Sequence, residues 1–181
     1  MASTKSVNLT LLDTSPRSLL ESGSAVGKLR VFMDTVAIAD GDFDADGDIV
    51  YLAEVPSNAK IVSIKTFSDD LDAGTDSAVN VGLYNGGTKF TTSGGTDYAA
   101  DALIDEDAYA SAVTTFQAAD TAGTEHAFEA RNVNAVNNYV WEDAGLSEDP
   151  RVPLRVALTQ TAAVTTDAAG DVTVVVTYVV E

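Results

Sequence analysis

From Lys28 onward the chain alternates with the period of a half-buried strand. Leu29, Val31 and Met33 alternate with Arg30, Phe32 and Asp34, and the run continues through Val36 and Ile38 until Asp40-Gly41 breaks it. Residues 49–53 predict a second strand, ended by Pro56-Ser57-Asn58, and residues 61–67 a third. Residues 78–84 predict a fourth, stopped by Asn85-Gly86-Gly87. Lys89-Phe90-Thr91-Thr92 reads as a short strand before Ser93-Gly94-Gly95. Two late strands, 152–160 and 172–180, finish the chain; the last is rich in β-branched residues, which favour a pleated sheet. Between them two segments have a helical character. In 105–116, Asp105-Glu106-Asp107 load the first turn, where the helix dipole favours negative charge, and Ala108, Ala112 and Phe116 recur at spacing four. Residues 138–146 predict a short helix closed by Gly145 and followed by Pro150.

Six to eight short strands with turn residues between them and one or two short helical insertions predict an all-β fold, an antiparallel β-sandwich. The 181 residues suit one such domain, residues 28–181, preceded by an arm, residues 1–27. In the arm Val7, Leu9 and Leu11 alternate as in a short edge strand, with Leu12 beside them, before Pro16 and a Ser/Gly-rich stretch. These four apolar residues are the candidates for contact with a neighbouring subunit.

Charge narrows the function classes. Asp and Glu number 28 against 10 Lys and Arg, a formal net charge of −18. Nucleic-acid binding needs clustered cations, whereas Lys60 and Lys65, or Arg151 and Arg155, merely flank apolar strands. Such a surface repels DNA, RNA and anionic lipid and keeps a crowded assembly dispersed; adaptation to high salt leaves the same signature. No run approaches the ~18 apolar residues of a membrane span, and the first residues lack a basic-then-apolar signal, so the expectation is a soluble chain without an export address.

Candidate chemistry is sparse. With no cysteine, disulfides and thiolate chemistry are excluded, and the one histidine, His126, has no serine in a Gly-x-Ser-x-Gly elbow to serve. A lone loop histidine reads as a surface or lightly buried residue. Asp42, Asp44, Asp46 and Asp48, with Gly47 at the turn, resemble the first half of a calcium loop, with oxygen ligands at alternate positions. The bidentate Glu expected at the twelfth place is Ala53 instead, and the flanks read as strands, so a solvated acidic hairpin competes with a Ca²⁺ site. Asp69-Asp70-Leu71-Asp72-Ala73-Gly74 is a weaker case of the same kind. Tyr139 and Trp141 suit either a sugar-binding platform or, for Trp141, a plug at one end of the core. No paired-carboxylate or phosphate-loop pattern stands out, and the expectation is a protein without enzymatic activity.

Five stretches taken together resemble a known family: Gly27-Lys28-Leu29-Arg30-Val31-Phe32-Met33-Asp34-Thr35, then residues 49–62, then residues 76–85, followed by Asp105-Glu106-Asp107-Ala108-Tyr109 and the Val-rich last strand. Their order resembles the small structural virion proteins of tailed bacteriophages, similar to head decoration proteins. The resemblance implies a jelly-roll-like sandwich, no enzymatic activity and attachment to the outside of the capsid after synthesis in the host cytoplasm. The expected partners are the major capsid protein and further copies of the chain itself, as a trimer. The alternatives are another virion component (head–tail adaptor, tail or fibre protein) and a calcium-dependent carbohydrate-binding or adhesion module.

Overall fold

The computed structural model describes Thr10, residues 13–16 and residues 27–180. Val7, Leu9, Leu11 and Leu12 lie outside the described residues; Thr10, in their midst, is helical. Ten strands follow in chain order: β1 (Lys28–Ile38), β2 (Ile49–Val55), β3 (Lys60–Ser68), β4 (Val79–Asn85), β5 (Phe90–Thr91), β6 (Asp97–Tyr98), β7 (Leu103–Val113), β8 (Asp120–Glu125), β9 (Leu154–Gln160) and β10 (Gly170–Val180). One short helix, α1 (Val140–Asp143), precedes β9.

Eight strands form two four-stranded antiparallel sheets, ordered β1-β10-β3-β8 and β2-β9-β4-β7, while β5 pairs with β6. Apart from the β4–β7 step, each long strand is followed by one in the opposite sheet. This is the winding of an eight-stranded jelly roll, and the expected all-β sandwich is what the chain adopts. Val172, Val174 and Val176 of β10 pack with Ile61 and Ile64 of β3 against Val79, Val81 and Leu83 of β4 and Leu154, Val156 and Leu158 of β9, all fully or almost fully buried. Each such side chain contributes about 1.5–3 kcal/mol on leaving water.

The structure corrects the sequence reading at one element and adds to it at two. Residues 105–116 are mostly strand β7, not helix. Its ladder with β4 slips three times, so Val81 faces Ala110 while Leu83 faces Asp105, and the extra residues destroy the period of two. Gly82 makes this possible, since a Cβ there would stand 2.1 Å from the Glu106 carbonyl oxygen. Strand β8 (Asp-Thr-Ala-Gly-Thr-Glu) carries no large apolar residue and has no counterpart among the strands that the sequence predicts. In β1 it is Phe32, Val36 and Ile38 that turn to the core, leaving Leu29, Val31 and Met33 on the solvent face.

The winding sorts the connections to two ends. At the first end lie 39–48, 69–78, 114–119 and 161–169, where every charged residue is an aspartate. At the second end lie 56–59, 86–102 and 126–153, where charges of both signs mix. Phe43 closes the core at the first end and Val140 and Ala144 at the second.

Candidate interaction surfaces and chemical sites

His126 is fully buried, against the expectation of a surface or lightly buried loop residue. It lies just beyond β8, its backbone N–H bonds to the Ile64 carbonyl, and its Nε2 lies 2.8 Å from the Thr66 hydroxyl. Its ring stacks on Phe116 at 6.3 Å. Burial holds its pKa below the ordinary imidazole range. The geometry is that of a neutral core residue.

The acidic connection 39–48 is not the hairpin that the sequence suggests, because β1 and β2 lie in opposite sheets; it crosses between them and folds around its own backbone. Gly41 and Gly47 take φ of 84° and 90°, values L side chains rarely adopt. The Asp48 carboxylate accepts the Ala45 N–H at 2.8 Å, and the Asp44 and Asp48 carbonyls accept N–H groups from Val164 and Gln160. Phe43 points inward between the exposed Asp42 and the half-buried Asp44. Among the described residues no group of three or more His, Cys, Asp or Glu is arranged to hold a metal ion. Nearby, Asp167 accepts the Gly41 N–H at 2.6 Å and its charge raises the pKa of Asp40.

Asp72 of the next loop is fully buried and organises this end. It accepts backbone N–H groups from Gly74, Asp76 and Ser77 at 2.8, 2.7 and 2.8 Å and the Thr166 hydroxyl at 3.0 Å. Burial opposes ionisation there, but these four donors outweigh it and lower the pKa.

The second end contains a group that the sequence did not reveal. The Arg131 and Asp143 side chains are 2% and 1% exposed, with Nη2 3.0 Å from the carboxylate. The same guanidinium donates to the carbonyls of Ala135 at 2.9 Å and, more loosely, Ile61 and Ala127 at 3.4 and 3.5 Å. It thereby ties loop 126–139 to β3 and α1. Loop and pair hold Phe128, Val133 and Val136 at the surface around a shallow apolar depression of about 440 Å³, with Val133 81% exposed. Spacing offers no signal for such a pair; only the fold makes these residues neighbours.

Tyr139 and Trp141 stack at 6.4 Å, with the Lys60 ammonium 4.4 Å over the Tyr139 ring. Both rings are half-buried, and Val140 between them, not Trp141, is the side chain that plugs the core. The outward face of β1 carries the most exposed large apolar side chains of any strand among the described residues: Leu29, Val31 and Met33 are 61%, 54% and 68% exposed.

No protein-family model and no curated protein matches the chain. Its fold is shared with solved phage capsid structures. A chain of the cyanophage Pam1 capsid asymmetric unit superposes with a TM-score of 0.55 at 18% identity, covering 93% of this chain and 97% of its own. A chain of the capsid of Ralstonia phage GP4 does so with a TM-score of 0.56 at 21% identity, covering 84% and 85%.

Proposed function

We propose that this chain is a structural protein of a bacteriophage virion, held on the outer surface of the capsid as a decoration protein that bridges major-capsid subunits. The observation that carries the reading is the end-to-end match with the Pam1 capsid chain, which covers 93% of this chain and 97% of that one. The partition of charge supports the outward placement. An end whose charged groups, among the described residues, are all aspartates suits solvent and keeps particles apart, whereas the mixed end, with Phe128, Val133 and Val136 exposed, suits contact with protein. The protein's task in that position is to add buried area across seams between capsid subunits, where a stable contact buries ~1,200–2,000 Å².

The test is quantitative mass spectrometry and cryo-microscopy of purified particles of the phage that encodes the chain. Copies in the hundreds over the outer shell are expected, with earlier heat-induced DNA release from particles lacking the protein. Six to twelve copies at one vertex would place it at the head–tail junction or tail instead. Its absence from particles would overturn the virion reading.

A further inference from the structure

The four sheet edges of the jelly roll are not treated alike. Edge strands β2, β7 and β8 each meet their neighbour with a register shift, and such irregularities hinder pairing with another chain. β1 does not: its ladder with β10 runs from Lys28 to Ile38 without a shift, and the strand has no proline or glycine. Its outer side has no strand partner among the described residues. Long, regular and apolar on its solvent face, it has the properties of an edge built to be paired.

Its charges indicate with what. Arg30 and Asp34 are exposed and make no ion pair among the described residues; the Asp34 carboxylate accepts the N–H of adjacent Thr35. They stand symmetrically about Phe32. If a second β1 runs antiparallel with Phe32 on the two-fold axis, Arg30 of each copy faces Asp34 of the other. On the opposite face Val31 then meets Met33 twice. A register centred on Val31 also sets Asp34 against a cation, Lys28, but shortens the overlap from Lys28–Val36 to Lys28–Asp34. A register centred on Met33 places Asp34 against Phe32. The Phe32 register is thus the longest one that satisfies charge, and it is self-complementary, as a two-fold contact requires.

We propose that β1 is a homotypic docking edge: two copies of this chain join their β1-β10-β3-β8 sheets across a two-fold axis at Phe32, with reciprocal Arg30–Asp34 pairs. The contact suits a body of charge −18, because no acidic residue lies on its apolar face and the one acid on its other face meets a cation. It rests on the edge itself and stands whether or not the chain is a virion component. It also predicts a dimer where the sequence reading expects a trimer.

The experiment uses the full chain in sedimentation velocity and native mass spectrometry at micromolar concentrations. The wild type is expected to be dimeric. Arg30→Glu sets Glu against Asp34, and Asp34→Lys sets Lys against Arg30; each places like charges opposite one another twice and weakens the dimer about tenfold or more. Mixed in equal amounts, the two variants restore both attractions and form a heterodimer. Met33→Glu, on the solvent face, gives a third way to weaken the contact, and melting curves separate a lost contact from a lost fold. A monomeric or trimeric wild type, variants that dimerise like the wild type, or a mixture that fails to associate would each overturn the proposal.

Discussion

Asp72 and Asp143 are both buried carboxylates, one at each end of the sandwich, and they respond in opposite ways. Asp72 forms no ion pair among the described residues, yet its pKa is lowered. Asp143 lies 3.0 Å from a guanidinium, yet burial outweighs Arg131 and pushes it up to about 6. The difference lies in alignment. Asp72 receives three backbone N–H groups and a hydroxyl, whereas neither Asp143 oxygen accepts a well-aligned hydrogen bond. Arg131 spends its donors on the carbonyls of Ala135, Ile61 and Ala127. A cation beside a buried acid must itself leave water, and part of its attraction is lost to that penalty. Backbone donors at a chain turn carry no such charge to desolvate.

Breaking the second end should therefore have the largest effect. Arg131→Met leaves Asp143 buried without its cation and frees three carbonyls, a loss of about 3–5 kcal/mol in urea unfolding. Adding Asp143→Leu should recover at least half of it, because the stranded charge is then gone; no recovery would mean that Arg131 matters for its carbonyl contacts alone. At the first end Asp72→Ala strands the donors of Gly74, Asp76, Ser77 and Thr166 and should cost about 2–3 kcal/mol. No second substitution of a single residue should rescue it, since the donors are mostly backbone.

What the sequence disclosed follows from the same physics. β3, β4, β9 and β10 were legible because each is a run of buried branched residues, and apolar runs bounded by turn residues read directly as strands. β7 was not, because its slips against β4 erase the alternation and Asp105-Glu106-Asp107 imitate a helix start. β8 was invisible for want of apolar residues. The acidic stretch 40–48 was recognisable as a connection between strands but not as one that crosses from one sheet to the other, and nothing local distinguishes exposed Asp42 from buried Asp72, whose donors include Thr166 from a distant loop. His126 and Arg131 are buried by contacts with β3, more than sixty residues away in the case of Arg131 and Ile61.

A pH series sharpens the contrast on a smaller scale. The folded pKa of Asp143 is raised, so its contribution to stability is full below the unfolded value near 4 and is lost as pH rises through about 6. Asp72 runs the other way: its pKa is lowered, so its contribution is present above about 4 and is lost as pH falls through its folded value. His126, also lowered, stabilises above about 6.5 and loses that contribution as pH falls below it. Asp143→Asn removes one of these opposing slopes. The stability of the wild type minus that of the variant should grow between pH 7 and pH 5, with a limiting slope of about 1.4 kcal/mol per pH unit. A difference constant across that range would show that Asp143 titrates like an ordinary carboxylate.

The smallest effects belong to the exposed aspartates of the first end. A calcium ion takes ~6–8 oxygens, and in the 40–48 loop several are already engaged. Asp48 accepts the Ala45 N–H, while the Asp44 and Asp48 carbonyls accept Val164 and Gln160. Asp42→Asn, Asp44→Asn and Asp46→Asn should therefore each shift Tm by under ~2 °C, in the range of surface substitutions. Calcium and magnesium at equal millimolar concentration should raise Tm of the wild type slightly and equally, by screening repulsion among carboxylates. A rise of several degrees with calcium alone, abolished by the three Asn substitutions together, would assign a chelating loop. It would also favour a calcium-dependent adhesion module over a virion protein whose acidic end simply faces solvent.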